Sequence, residues 1–422
     1  MTTGQKVLLV LLAISLIAGF STGGGLYYRL SILWALLILI AWVWSAISLR
    51  GLKVSRTART VRAQVGQIFE ERFDIHNPSI FPRLWLEVLD SSTLPGTDGS
   101  RVVTMIQRKQ TRSYLARTRL LRRGVFPLGP TIISSGDLFG LFPVVINIPA
   151  KDALLVYPMM VDVRNFPNLP GLLPGGEALR RRTHQITPNA SGVREYEPGD
   201  PLNRIHWLST ARRGRMMVKE FELDPLADVW IFMDAEKNVQ HAMLQPEPDL
   251  YAKDLWQRHA KVALPPSTEE YGISIAASLA RDYLRRGRAV GLVGVGQQSV
   301  LISPDRGGRQ LGKILEALAL LRAEGMIPLR GVVETQVKHM VRGSTVLLIT
   351  PTVSKEAALL ADYLIQRGLR PVVILLNAAS FGGNHSQEEL LTSIKMLGIP
   401  VRSIACGDDL ELVLSNGSAR GV

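Results

Sequence analysis

Two apolar runs near the start of the chain limit its fold more than anything that follows. Residues 7–20, VLLVLLAISLIAGF, and residues 31–49, SILWALLILIAWVWSAISL, carry no charged side chain. A helix needs about 20 apolar residues to cross a bilayer core. The second run meets that length alone, and the first meets it by drawing on Ser21 to Leu26. A cleaved signal peptide is the competing reading of the first run. No small-x-small cleavage site follows cleanly and a second span comes at once, so the expectation is an uncleaved transmembrane hairpin over residues 1–50. Tyr27, Tyr28, Trp42 and Trp44 suit its interfaces with water.

Charge sets the expected orientation. Arg50, Lys53, Arg56, Arg59 and Arg62 follow the second run, while the segment between the runs offers only Arg29. The positive-inside rule then places both termini and the large domains in the cytoplasm, on the cell (inner) membrane. Those five cations either serve topology alone or also rest on anionic headgroups, which makes membrane lipid an expected partner. The chain as a whole is basic, with 49 Lys and Arg against 36 Asp and Glu. A single cysteine, Cys406, excludes an internal disulfide and a Cys-based metal cluster.

Residues 51–160 read as a β-rich domain. QIFEERFDIHN, PRLWLEVLD, RVVTMIQRK, GPTIISSGD and DALLVYP have strand character, with turns at Asn77-Pro78, Pro95-Gly96 and Gly136-Asp137. That spacing predicts a small antiparallel sandwich. Eight basic residues and no acidic one lie between Arg101 and Arg123, with Tyr114 as the interleaved aromatic. A solvated sheet face is the expected reading, and nucleic acid is not an expected partner.

Residues 161–226 contain the densest polar and aromatic stretch, SGVREYEPGDPLNRIHWLSTARRGRMMVKEFE from Ser191 to Glu222. Groups of this kind are costly to bury unless each is paired, so the stretch is either a satisfied network or a site. Pro198-Gly199 makes a turn, Asp200 stands at an N-cap position, and Gly214 stands past a last turn, which predicts a helix over about 201–213. Leu202, Ile205 and Leu208 would form its buried edge, with Trp207 beside them. Arg204, Arg212, Arg213 and Arg215 are available to Glu195, Glu197, Glu220 and Glu222. MMVKEFE alternates as a strand with Met217, Lys219 and Phe221 on one face. A hydrolase-type enzyme using the 194–206 polar cluster, with Asp200 and His206 as acid and base, is the alternative. One helix does not bring residues six apart onto one face, and no serine elbow, Cys-His pair or HExxH accompanies them, so no catalytic residue is assigned.

GVREYEPGDPLNRIHW and STARRGRMMVKEFE, with RRGVFPLGPTIISSGDLFGLFP upstream, resemble the bacterial and archaeal domain of unknown function 58 family. The signature residues carried over are Arg194, Glu195, Tyr196, Pro198, Gly199, Asp200, Arg204, His206, Trp207, Lys219 and Glu220. The resemblance covers most of the chain. It implies two membrane spans, a β-rich region, this block, and a C-terminal von Willebrand factor A-like domain. It also implies a protein-interaction or adaptor role beside a MoxR-type AAA ATPase, in complex assembly or envelope maintenance.

From residue 227 to 422 the pattern alternates between strands and helices. ADVWIFMD, AVGLVGV, SVLIS, STVLLIT, PVVILLN and IPVRSIA are strands; GISIAASLARDYLRRG, GRQLGKILEALALLRAEG and KEAALLADYLIQRGL are helices. This predicts a mainly parallel sheet with helices on its faces and a binding edge at the strand carboxyl ends. In von Willebrand factor A-like domains that edge usually carries Mg²⁺ on an Asp-x-Ser-x-Ser motif with later Thr and Asp ligands. Here Asp234 matches the first ligand, Glu236 and Asn238 replace the serines, and Thr350-Pro351-Thr352 stands where an Asp is expected. A degenerate site follows, with Mg²⁺ possible but no cofactor expected. GGRQLGK from Gly307 matches the start of a phosphate loop, but Ile314 replaces the hydroxyl residue and the segment reads as helix. YAKDLWQRHAKV, in a long excursion over 239–270, reads as a short amphipathic helix.

Overall fold

The computed structural model describes residues 2–164, Phe166, 190–197, 205–221, 228–244 and 263–415. The chain divides into two compact units, one drawn mainly from residues 1–159 and the other mainly from residues 160–422.

The first unit opens with α1 (Thr3–Thr22) and α2 (Gly25–Ser48). Thr2 caps α1 through a reciprocal pair of hydrogen bonds with Gln5. The first run therefore gains length at both ends, backwards to Thr3 and forwards to Thr22, short of the Leu26 that the sequence reading drew on. Gly23, at a φ of 63°, ends α1 in a left-handed conformation open to glycine, and α2 begins two residues later. The side chains buried on the two helices are small: Ser15 and Gly19 on α1, and Ser31, Ala41, Ser45 and Ser48 on α2. The Ser15 and Ser31 hydroxyls lie 3.2 Å apart. Ile14, Ile17, Phe20, Ile32 and Ile40 remain exposed. Small residues between helices and large apolar ones outside is the arrangement of a helix pair in lipid, and both helices are long and apolar enough to cross a membrane.

Ten strands follow: β1 (Lys53–Ala58), β2 (Arg62–Gln64), β3 (Ile68–His76), β4 (Arg83–Asp90), β5 (Arg101–Ile106), β6 (Thr111–Arg119), β7 (Gly124–Pro127), β8 (Thr131–Ser135), β9 (Val144–Ile148) and β10 (Ala153–Tyr157). One sheet runs β1-β3-β6 and a second β5-β4-β8-β9, each antiparallel throughout. Phe73, Ile75 and Ala116 from the first sheet meet Leu86, Val88, Ile106 and Ile133 from the second, and Leu49 from the end of α2 joins the same core. This is the expected sandwich, with the helix hairpin packed into it. A third sheet, β2-β10-β7, has its own core around Phe69, Leu120, Leu154 and Val156, and its β2–β10 pair is parallel.

The basic residues are less solvated than the sequence reading had them. Arg56 is nearly buried, and its guanidinium lies 2.6 Å from Glu71 and 2.9 Å from Asp90. Its alternation on β1 turns it into the sandwich, away from the face that Lys53 and Arg59 share with water. Arg119 and Arg123 are also buried.

In the second unit the described part of the signature block is β11 (Ala190–Glu195), α3 (Trp207–Arg213) and β12 (Met217–Phe221), with β11 and β12 antiparallel. The α/β sheet consists of β13 (Val229–Met233), β14 (Val290–Val295), β15 (Ser299–Asp305), β16 (Thr345–Thr350), β17 (Arg370–Leu376) and β18 (Val401–Ile404), interleaved with α4 (Thr268–Arg285), α5 (Gly308–Leu320), α6 (Leu329–Val337), α7 (Glu356–Gln366), α8 (Glu388–Met396) and α9 (Leu410–Ser415). Its order is β15-β14-β13-β16-β17-β18, parallel except for the antiparallel edge strand β15. Trp230, Phe232, Val346 and Leu348 face α6, α7 and α8, while α4 packs on the opposite face. Covered on both faces, β13 is apolar at every position, as a buried parallel strand must be. The sequence reading missed α6, α8 and α9. All three are short, and α6 carries Gly331 and the β-branched Val332 and Val333, a poor helical signal that packing overrides. Gly312 and Lys313 lie within α5, so the phosphate-loop resemblance has no loop to act through.

Candidate functional site

Central strand β13 runs directly into Asp234 at the carboxyl edge of the sheet. The Asp234 N–H continues the ladder to the Ile349 carbonyl at 2.9 Å, which fixes its backbone beside the end of β16. Its side chain is 2% exposed. One carboxylate oxygen accepts the Thr350 hydroxyl at 2.6 Å, and the other accepts the Glu236 N–H at 3.2 Å. Thr350 is fully buried, and its oxygen in turn accepts the Thr352 N–H at 3.0 Å. Burial pushes the Asp234 carboxyl up to about 6; the Thr350 and Glu236 hydrogen bonds oppose the rise, and the Glu236 charge adds to it.

The next residues wrap this carboxyl. Gln240 donates to the Asp234 carbonyl at 2.9 Å and accepts the Thr268 hydroxyl at 2.7 Å, which ties the loop to the start of α4. Lys237 donates its N–H to the Gly325 carbonyl at 2.8 Å, and Gly325 returns its own N–H to Ala235 at 2.9 Å. A Cβ at Gly325 would collide with the Val295 and Ala235 carbonyls, so glycine is required for this close approach. Gln387, buried beneath the Pro351-Thr352 turn, donates to both carbonyls there at 2.8 Å.

The structure thus gathers Asp234, Glu236 and Asn238 at one edge. Asn238 is exposed, and its amide lies 3.5 Å from the Glu236 carboxylate. Both Asp234 oxygens are engaged, and among the described residues there is no group of three or more His, Cys, Asp or Glu that could hold a metal ion. Gln240, Thr268 and Gln387, which build the edge, were not singled out from sequence; isolated polar residues at element ends leave no periodic signal.

The signature block is built differently. His206, and not Asp200, is the N-cap of α3, so the helix begins at Trp207. The His206 Nδ1 accepts the Ser209 N–H at 3.1 Å and lies 2.7 Å from the Ser209 hydroxyl. Ile205 is off the helix, bridged to Val218 as an extension of the sheet. Thr210 accepts the Met217 N–H at 3.0 Å, and Gly214, left-handed at a φ of 66°, closes the helix. Arg212 and Arg213 sit in the last turn, where the helix dipole favours cations. Arg215 pairs with Glu195 at 2.6 Å on an exposed surface, and Tyr196 donates its N–H to Met216 at 2.9 Å. Arg194, Lys219 and Glu220 lie on the β11–β12 ladder. Pro198, Gly199, Asp200, Leu202 and Arg204 lie outside the described residues, as does YAKDLWQRHAKV.

A buried edge for α3 is not found. Trp207 is 69% exposed, Leu208 60% and Met216 45%, and no residue of α3 is buried. His206 is committed through Nδ1 to the cap, a structural task that competes with its use as a base.

Residues 192–245 match the family model described as protein of unknown function DUF58. The chain is also 21% identical over 374 residues to the uncharacterized protein YeaD of Bacillus subtilis (strain 168), covering 85% of each. Both support the DUF58 resemblance. Among solved structures, the CARDB domain of a Pyrococcus furiosus protein in complex with di-metal ions aligns at 11% identity over 25% of this chain and 91% of its own, with a TM-score of 0.17. The GH20 exo-β-N-acetylglucosaminidase of Vibrio harveyi aligns at 8% identity over 82% of this chain and 59% of its own, also at 0.17. Likenesses at that score carry no argument about fold or function.

Proposed function

We propose that this protein is a membrane-anchored interaction or adaptor protein whose α/β domain is von Willebrand factor A-like, acting as partner of a MoxR-type AAA ATPase in complex assembly or envelope maintenance. The observation that carries the interaction reading is the exposed Trp207-Leu208-Met216 patch within the segment matching the family. Exposed aromatic and aliphatic side chains beside arginines are the composition of a protein-binding hot spot. The strand order, with its antiparallel edge strand and an acid at the end of the central strand, supports the von Willebrand factor A-like reading. The cations after α2 support a hairpin in the cell membrane with both termini and the large domains cytoplasmic. Both Asp234 oxygens are already engaged by Thr350 and Glu236, and the reading routes no step through a metal.

The test is affinity purification of the full-length protein in mild detergent with mass spectrometry, comparing wild type, Trp207→Ala and Asp234→Ala. Recovery of a MoxR-type ATPase with wild type and its loss with Trp207→Ala is the expected result. Equal recovery with all three would remove both surfaces from the contact, and no ATPase with any would end the adaptor reading.

A further inference from the structure

The end of the sandwich beside the helix hairpin carries two loops whose tips are apolar and exposed. In the β3–β4 loop, Ile80 is 67% and Phe81 48% exposed; in the β8–β9 loop, Leu138 is 70% and Phe139 67% exposed. Such pairs are unfavourable in water. Yet each loop is held rigidly at its base by a buried polar side chain. The Asp137 carboxylate, 2% exposed, accepts the Phe139 N–H at 2.9 Å and the Phe142 N–H at 2.7 Å. The Asn77 amide, fully buried, donates to the Phe81 carbonyl at 2.9 Å and to Gln107 at 3.1 Å.

Both loops are also tied to the hairpin where its helices end. Thr2, at the start of α1, donates to the Leu141 carbonyl at 3.1 Å, and Ser45, near the end of α2, donates to the Phe142 carbonyl. Arg83, at the foot of the β3–β4 loop, donates to the Ile47 carbonyl and, at 2.9 Å, to that of Arg50. Trp42, Ser45, Phe142, Pro143 and Val144 line a groove of about 370 Å³ at this junction. Exposed cations lie on the segments bonded to these loops: Lys6 in the first turns of α1, Arg50 just past α2, and Arg108 and Lys109 in the turn that Asn77 grips. The first acidic residue of the chain is Glu70.

We propose that the Ile80-Phe81 and Leu138-Phe139 loop tips insert into the headgroup–acyl boundary of the bilayer that holds the hairpin, as a second, interfacial contact beside the two helices. The proposal rests on the membrane-anchored reading. The occupant is a lipid surface, and not a protein, on two grounds. The tips stand on loops bonded to the ends of the two apolar helices, and exposed Lys and Arg on the adjoining segments match an anionic interface. Fixed to the helix ends, the loops would set the sandwich at a constant height and tilt on the membrane.

The test uses the full chain with Cys406→Ser and one introduced cysteine at a time, labelled with an environment-sensitive fluorophore. The positions are Phe139→Cys, Phe81→Cys, Ile14→Cys within α1, and Asp98→Cys beyond the far end of β4. Each is placed in nanodiscs of phosphatidylcholine and phosphatidylglycerol with plain or brominated acyl chains. Insertion predicts a shift to shorter wavelength and a loss of emission in brominated discs at 139 and 81, as at 14, with no loss at 98. Loss at 14 but not at both 139 and 81 would overturn the proposal and leave the anchor intact. A blue shift at 139 and 81 without quenching would place a second copy or another protein on the tips, and overturn it as well. No loss at 14 would remove the anchor and the proposal together.

Discussion

Asp234 places a titratable carboxyl under the sheet edge, and its titration is felt in the stability of the fold. Its folded value is held above the ordinary one, from 3.8 to about 6, so the protonated form is favoured by the fold. The contribution is therefore full at low pH, declines as pH rises across that interval, and levels off above it. The shift corresponds to at most about 3 kcal/mol. The stability of Asp234→Asn relative to wild type should accordingly rise between pH 4 and pH 7, measured by denaturant unfolding in detergent. A difference that stays constant with pH would show a solvated carboxylate. Addition of Mg²⁺ is expected to leave the wild-type melting temperature unchanged, because both Asp234 oxygens are held by Thr350 and Glu236; a saturable rise lost in Asp234→Asn would restore the metal. Arg56 carries a second residue-scale prediction. Removing it strands Glu71 and Asp90 inside the sandwich, so Arg56→Ala should cost about 3–5 kcal/mol. A loss below about 1 kcal/mol, the range of an exposed pair, would place the network at the surface.

At the scale of elements, α3 is a short helix whose ends are better defined than its packing. His206 and Gly214 set its limits, and its outer face is left free. His206→Ala removes the cap and should lower stability by about 1 kcal/mol. Trp207→Ala removes no buried contact and should leave the unfolding midpoint unchanged while weakening partner recovery. A Trp207→Ala protein that melts early would mean that the side chain packs internally. The elements best legible in sequence were those with strong period or length: α1, α2, β3, β4, β13 and β16. The start of α3 was misread, because His206, an unusual cap, holds that place. The backbone of Ile205 is claimed by the sheet, and that pairing is set by Val218, distant in sequence.

At the scale of the whole molecule, the distribution of cations along the chain makes a topological prediction. Protease added to inside-out membrane vesicles should degrade the β-rich and α/β domains, whereas right-side-out vesicles should protect them. The reverse pattern would invert the proposed orientation.

Composition and period by themselves determined the two apolar helices, the β-rich middle, the alternating α/β region and the presence of an acid after the first strand of its sheet. These follow from local rules: helix length against bilayer thickness, alternation along a strand, and apolar runs where both sheet faces are covered. Tertiary structure alone decided that Arg56 and Arg119 turn inward and that Thr350 meets Asp234. It also decided that Trp207 and Leu208 stay outside and that two loop tips stand beside the hairpin's end. Each of these depends on which distant segments share a sheet or a core, and a residue's neighbours across 100 positions leave no mark in its own local pattern.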